Sequence, residues 1–425
     1  MDSLQAPPRG IIFDLGDVLF AWSARTTTTI PKQKLKEIVT TPIWHSYECG
    51  NITRDVCYEL SARQFSFPAS EIAEAFVQAR ESLRPDNAIV SFLRELKKDS
   101  TIKLYAMSNV GKEDFDELAT KMDWSLFDQV FTSAAAGMRK PELGFYRLVL
   151  DHIGLSGNQV VFIDDKEENV QAARELDIRG LVFGKSTIHT LRKMLDSPVG
   201  KGWRYLFQNA QQCDSITDSG IAFADNFAKL LIADSLKDRT LVDLSWGSRK
   251  TWNFFTGKTA LVPGGIFPDD LDTTALALTA LPPPSTKTVM SVLDKMAEYV
   301  NDDGTFQSSS DAYLHTTLGG LLNSRVRERL GQGGSALDLA MRIIACAQLG
   351  IPCGDDRRAL LKLQCEDGSW EGGWMYQYGS TRVKIGNRAV TTAMAVAALS
   401  SRDTGIQDNG VNESGSTNGN TKMNE

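Results

Sequence analysis

The chain has 425 residues, 42% apolar and 23% charged, which excludes wholesale disorder and fits two or three globular domains. Lys and Arg total 46 against 53 Asp and Glu, a net charge of −7, so neither nucleic acid nor anionic membrane is a favoured partner. No apolar run nears the roughly 18 residues of a membrane span, no secretory leader is visible, and six scattered cysteines suit reduced thiols in the cytoplasm.

From about 9 to 200, short β-branched runs alternate with amphipathic stretches. Strands are predicted at "GIIFDLG", "TIKLYAMSN", "QVVFIDD" and "RGLVFG". Strands separated by helices imply an α/β, Rossmann-like parallel sheet. The segment 22–90 reads as mostly helical and predicts a cap over the strand ends. Polar groups stand where these strands finish: Asp14 in "FDLGD", Ser108 and Asn109 in "MSN", and Asp164, Asp165 and Glu168 in "FIDDKEEN", with Lys140 in "RKPELGFY". Ligands of open parallel sheets sit beyond the carboxyl ends of the strands, so these groups can converge. A carboxylate nucleophile, a hydroxyl, an ammonium and acids for Mg²⁺ are the parts phosphoryl transfer to aspartate requires.

On these motifs, residues 1–200 resemble the haloacid dehalogenase-like superfamily. The resemblance makes Asp14 the nucleophile, Ser108 the motif-two hydroxyl and Lys140 the motif-three lysine. It makes Asp14, the Gly16 carbonyl, Asp164, Asp165 and Glu168 the Mg²⁺ set, with Asn109 beside the substrate. The family's phosphatases carry a second Asp two residues after the nucleophile. Here that position is Gly16, and Asp17 is expected on the opposite side of an extended backbone.

From 201 to 400, Ala/Leu-rich helices alternate with Gly- and aromatic-rich loops. A weak repeat joins 264–281, 303–322 and 367–399, each with a Thr-Thr pair opening an apolar helix that it is expected to cap. Stacked helical units of this kind predict an all-α, α/α-barrel domain. The polar segment 401–425 reads as a disordered tail.

The sharpest motif is "DDLDTTALAL", with Asp270 and Asp272 just ahead of an apolar helix. Carboxylates there are commonly helix caps. Downstream, Gln364, Gly368 and Trp370 form Q-x-x-x-G-x-W, followed by another aromatic loop. Together these resemble the β domain of class II terpene cyclases, and with the first half they resemble the fused drimane-type sesquiterpene cyclases. The resemblance implies that Asp272 protonates a terminal alkene of farnesyl diphosphate and that Asp270 orients it. Such a donor must be a neutral acid in a dry pocket. Trp374 and Tyr376 are expected at the substrate, Trp370 as packing, and Lys384 and Arg388 of "RVKIGNR" as the diphosphate clamp; His315 is a further candidate partner of the acid.

The implied activity is cyclisation to a bicyclic diphosphate, then Mg²⁺-dependent dephosphorylation to an alcohol of the drimenol or albicanol type. Alternatives are a cyclase of a farnesylated aromatic precursor, a phosphatase with a helical interaction domain, or a noncatalytic binding module. A homodimer is compatible with all of them.

Overall fold

The computed structural model describes residues 6–99, 101–257, 261, 267, 269–282, 285–297, 319–378 and 382–401. His315 and nearly all of the 401–425 tail lie outside them. The chain divides into two compact units, Met1–Gln208 and Asn209–Glu425, so the break falls in the last turn of helix Pro198–Asn209 rather than at residue 200.

The first unit is built on a parallel sheet of β1 (Gly10–Phe13), β4 (Lys103–Ser108), β5 (Gln129–Thr132), β6 (Val160–Asp164) and β7 (Arg179–Val182), in the order β5-β4-β1-β6-β7. Its central strands β1, β4 and β6 are largely apolar because both of their faces are covered. Ile11, Phe13, Leu104, Ala106, Val161 and Ile163 pack on one face; Ile12, Tyr105, Met107, Val160 and Phe162 pack on the other. β5 was not among the predicted strands; it is a four-residue edge strand with only one buried residue.

The strand order reverses at β1, which makes the carboxyl ends of β4, β1 and β6 the ligand-binding edge. The chain leaves that edge through β2 (Phe20–Ala21) and returns through its partner β3 (Arg84–Pro85). Between them stand the cap helices Lys32–Ile38, Pro42–Glu48, Arg54–Phe65 and Ala69–Glu81. Thr41 and Thr53 cap two of them through backbone N–H groups. Trp44, Tyr47, Tyr58, Ile72 and Phe76 form the cap's own core.

The second unit is helical but not all-α. Helix Arg388–Ser400 packs against both Asn226–Leu236 and Ala336–Leu349. Its buried face is largely alanine and valine, which lets neighbouring backbones approach. Beside the helices lies an antiparallel sheet of β8 (Ser215–Thr217), β9 (Ala222–Phe223), β12 (Trp374–Tyr378) and β13 (Val383–Gly386), ordered β12-β13-β8-β9. The all-α expectation is therefore corrected to a mostly helical unit with small sheets among the described residues. The aromatic stretch 374–378 takes the extended backbone that aromatic residues favour. A two-stranded ladder of β10 (Trp252–Asn253) and β11 (Asp269–Asp270) leads into helix Leu271–Ala280.

Candidate active sites

The first site is organised around a buried lysine. Lys140 is 1% exposed, and its ammonium reaches Asp14 Oδ1 at 2.8 Å, Asp164 Oδ2 at 2.6 Å and the Met107 carbonyl at 3.0 Å. Three donors thus meet three acceptors. Burial alone would depress the ammonium's pKa, but the two carboxylates reverse that and hold it above the usual lysine range. Asn109 fixes the lysine from behind, accepting from its N–H at 2.8 Å and donating to its carbonyl at 2.9 Å. The expected substrate contact at Asn109 is thus accompanied by a positioning role. Ser108 is buried at the end of β4.

Asp14 follows β1, its N–H bonded to the Ile163 carbonyl at 2.9 Å. Oδ1 also accepts the Leu15 N–H at 2.7 Å. Burial pushes the Asp14 carboxyl up, Lys140 pulls it back, and Asp164 pushes again, for a net rise. Asp165 is pushed up to about 6 by burial, with Asp14 and Asp164 adding to it. Oxygens of Asp14, Asp164 and Asp165 lie within 4.8 Å of one another, a set of hard donors suited to Mg²⁺.

Glu168 does not join them; it is exposed on helix Glu167–Arg174, and this part of the expected metal set is corrected. The helix turns the next residue inward instead, and Asn169 donates to Asp164 Oδ1 at 2.9 Å. Its signal was the D-D-x-x-x-N spacing. Asp17 is also corrected: its φ of 56° is left-handed rather than extended, and its carboxylate accepts from Trp22 Nε1 at 3.1 Å. Gly16 is exposed, with no atom within 4 Å of where a Cβ would stand.

A cavity of about 230 Å³ opens between cap and sheet, with Gly16, Ser108 and Asn109 among its lining. Its walls are mostly apolar, from Phe20, Trp22, Trp44, Phe76, Leu83 and Leu118, with Glu48, Arg80 and Asp114 as polar members.

The second site grows from the β10–β11 ladder. Asp270 pairs with Trp252 and caps the helix, accepting the Thr273 N–H at 2.7 Å through Oδ1. Its Oδ2 is buried without a hydrogen-bond partner among the described residues. The Thr-Thr pair does not cap. Thr274 donates to the Asp270 carbonyl at 2.7 Å and accepts the Trp252 N–H at 2.9 Å, pinning the ladder to the helix. The last repeat does the same: Thr392 accepts the Trp370 N–H at 3.1 Å, and both contacts span 22 residues. Trp252 and Trp370 are both buried. The Q-x-x-x-G-x-W element is the staple around Trp370. Gln364 donates to the Gly368 carbonyl at 2.8 Å, and Gly368 takes a φ of 87° that favours glycine.

Asp272 and Asp270 line a chamber of about 690 Å³. Phe227, Phe254, Phe267, Trp374 and Tyr376 supply aromatic faces, and Leu231, Met341, Met375, Val390 and Met394 fill in between. Phe254 and Tyr376 meet edge to face at 5.5 Å. Sequence reasoning did not single out Leu231, Met341, Val390 or Met394, whose helical apolar pattern is indistinguishable from core. The Asp272 residue itself is exposed, so the expected burial of the acid is corrected: it stands beside an apolar chamber, not sealed within one.

The two residues expected to clamp the diphosphate stand outside the chamber lining. Arg388 pairs with Asp367 at 3.4 Å and Glu371 at 3.5 Å, and Lys384 is exposed on β13. Neither lines the chamber, and no Lys or Arg does among the described residues.

Residues 11–183 match the haloacid dehalogenase-like hydrolase family, and 199–317 match the sesquiterpene cyclase astC-like C-terminal domain. The drimenol cyclase drtB of Aspergillus calidoustus is 36% identical, over 92% of this chain and 88% of its own length. The sesquiterpene phosphatase astK of Aspergillus oryzae is 41% identical over 41% of this chain and 88% of its own. A HAD-like hydrolase structure from Porphyromonas gingivalis aligns over 44% of this chain and 98% of its own, with 18% identity and a TM-score of 0.36. No described helix is long and apolar enough to cross a membrane. The chain belongs to the drimenol cyclase family, in which a haloacid dehalogenase-like hydrolase domain is fused to a sesquiterpene cyclase domain.

Proposed function

We propose that this protein cyclises farnesyl diphosphate by protonation at Asp272 and then removes the diphosphate at the Asp14 site, releasing a drimane-type alcohol. The observation that carries this reading is the pair Asp270 and Asp272 on the wall of a 690 Å³ chamber lined by aromatic rings and methionines. An alkene is an extremely weak base, so proton transfer from Asp272 requires that hydrocarbon displace the water around it. Asp270 anchors the helix start through Oδ1 and keeps Oδ2 as an acceptor that can orient the acid. Aromatic faces around the chamber stabilise the spreading cation. Drimenol and albicanol skeletons differ only in which proton leaves last.

At the first site, Lys140 pairs with Asp14 Oδ1 and counters the rise that burial imposes, which leaves Oδ2 for attack on phosphorus. Asp14, the Gly16 carbonyl and Asp165 would hold Mg²⁺, with Asp164 already engaged by Lys140 and Asn169. A bound Mg²⁺ supplies charge neutralisation for phosphoryl oxygens. Ser108, buried at the end of β4, would donate to the same oxygens. The apolar cap cavity suits the hydrocarbon of an isoprenoid phosphate. Six free thiols fit a reducing cytoplasm.

The test is product analysis with farnesyl diphosphate and Mg²⁺. Asp272→Asn is expected to yield no bicyclic product, and Asp14→Asn to accumulate the bicyclic diphosphate. Bicyclic product from Asp272→Asn would remove the acid assignment.

A further inference from the structure

We propose that Glu48 of the cap carries the proton that a carboxylate at position 16 would otherwise carry during phosphate removal. The inference rests on the hydrolase reading of the Asp14 site. Glu48 lines the same cavity as Gly16, Ser108 and Asn109. It ends helix Pro42–Glu48, and its carbonyl accepts from Ser133 Oγ at 2.6 Å. The same Oγ accepts the Val110 N–H at 2.9 Å, which ties Glu48 to the loop that follows Ser108 and Asn109.

The other acids near this cavity have other tasks, Asp165 standing with Asp14 and Asp164 in the set suited to Mg²⁺. Asp17 bonds to Trp22, and Asp114 pairs with Arg54 at 3.5 Å and Arg80 at 3.1 Å. Asp14 and Asp164 hold Lys140. Glu48 meets Arg139 through Oε2, at 3.1 Å from Nε and 3.0 Å from Nη2, and its carboxyl also takes a hydrogen bond from Trp44. Arg139 and Lys166 act on it, His45 and Cys49 belong to the same helix and its cap, and Arg80 and Asp114 line the same cavity. Burial pushes the Glu48 carboxyl up to about 7 although Arg139 and Lys166 pull it down. A group in that range gives and takes protons equally well at neutral pH.

The step balances. Asp14 attacks phosphorus, the bond to the leaving oxygen breaks, and that oxygen takes the Glu48 proton. The Glu48 carboxylate then takes a proton from the water that attacks phospho-Asp14. Inorganic phosphate leaves, and both acids return to their starting states. The first hydrolysis of a terpenyl diphosphate expels a phosphate oxygen, whereas the second expels an alkoxide, which is far more basic and depends more on an acid.

The full-length protein is given farnesyl diphosphate and Mg²⁺, and diphosphate, monophosphate and alcohol are followed from pH 5.5 to 9. Glu48→Gln is expected to slow alcohol release by ~10²-fold or more, to accumulate bicyclic monophosphate, to lose the wild-type limb near neutral pH, and to leave cyclisation unchanged. Adding Gly16→Asp to Glu48→Gln should restore alcohol release, because position 16 has open space for a side chain. Arg139→Gln removes the ion pair but keeps the carboxyl, and should retain most hydrolysis. Wild-type hydrolysis in Glu48→Gln, or an equal loss in Arg139→Gln with no rescue by Gly16→Asp, would overturn the inference. Equal alcohol release by wild type and Asp14→Asn would instead remove the hydrolase reading, and the inference with it.

Discussion

Asp14 and Asp272, the carboxyls to which we assign the two chemistries, both stand just after a strand, yet their surroundings are opposite. Asp14 is 7% exposed and locked into an ionic lattice with Lys140 and Asp164. Asp272 is exposed on the first turn of a helix, beside a chamber that only hydrocarbon can dry. The difference follows from the protonation state each chemistry needs. A nucleophilic carboxylate can be preorganised with a permanent counter-charge, but an alkene-protonating acid cannot, because a cation nearby would strip its proton. The first site is assembled by the fold; the second is completed by its substrate.

The internal repeat sharpens this contrast. Counted from Trp252 and Trp370, Val390 of the last repeat stands where Asp272 stands in the first. Both line the chamber. One copy of the unit supplies the acid and the other an apolar wall.

The largest effect that would break the comparison is at Lys140. Lys140→Met leaves Asp14 and Asp164 buried without their counter-charge. Losing one partner of a buried ion pair costs about 3–5 kcal/mol, so the first unit's denaturant midpoint should fall sharply and hydrolysis should vanish. Bicyclic diphosphate should still form where the second unit stays folded. An unchanged midpoint would mean that the lattice is not preorganised by charge.

Next is Thr274→Val, which removes a hydroxyl that both donates to Asp270 and accepts from Trp252. The orphaned, buried Trp252 N–H should cost roughly 1–3 kcal/mol. Cyclisation should fall with hydrolysis of supplied bicyclic phosphate unaffected, measured as separate rates. Equal loss of both activities would show that the threonine does not serve the second site alone.

The smallest effect concerns Asp225, which is buried and caps helix Asn226–Leu236 through the Ala228 N–H. Burial pushes its carboxyl from 3.8 up to about 6. The folded form therefore holds the proton more tightly, and the stability it contributes is complete below about 3.8 and lost as pH rises through about 6. Asp225→Asn keeps a cap and should flatten the second unit's unfolding midpoint across that window, with a small gain at pH 7. A variant whose midpoint still falls over the window would assign the dependence to another group.

Much of this was legible in the sequence where chemistry and strand ends coincide. Asp14, Ser108 and Asp164 were found because a parallel sheet delivers its ligand groups at carboxyl ends, and Lys140 because its motif follows in order. The cap was legible from helical composition between the first two predicted strands. Other features depend on neighbours that spacing does not encode. The phase of a helix start decides whether Glu168 or Asn169 faces inward, and the backbone at Asp17 turns left-handed with its carboxylate bonded to Trp22. Arg388 stands beside Asp367 and Glu371, acids that the spacing of its own motif does not reveal. The Thr-Thr pairs resembled caps because a threonine hydroxyl serves an N–H at a helix start and one from an adjacent strand or loop equally well.

The most direct test of the Asp272 chemistry is mass spectrometry of the bicyclic diphosphate that Asp14→Asn makes from farnesyl diphosphate in D₂O. Protonation by a solvent-exchanged acid places one deuterium on the hydrocarbon while both phosphates remain. A bicyclic product that carries neither deuterium nor diphosphate would mean that ring closure begins by loss of diphosphate, and a bicyclic diphosphate without deuterium would likewise contradict the role given to Asp272.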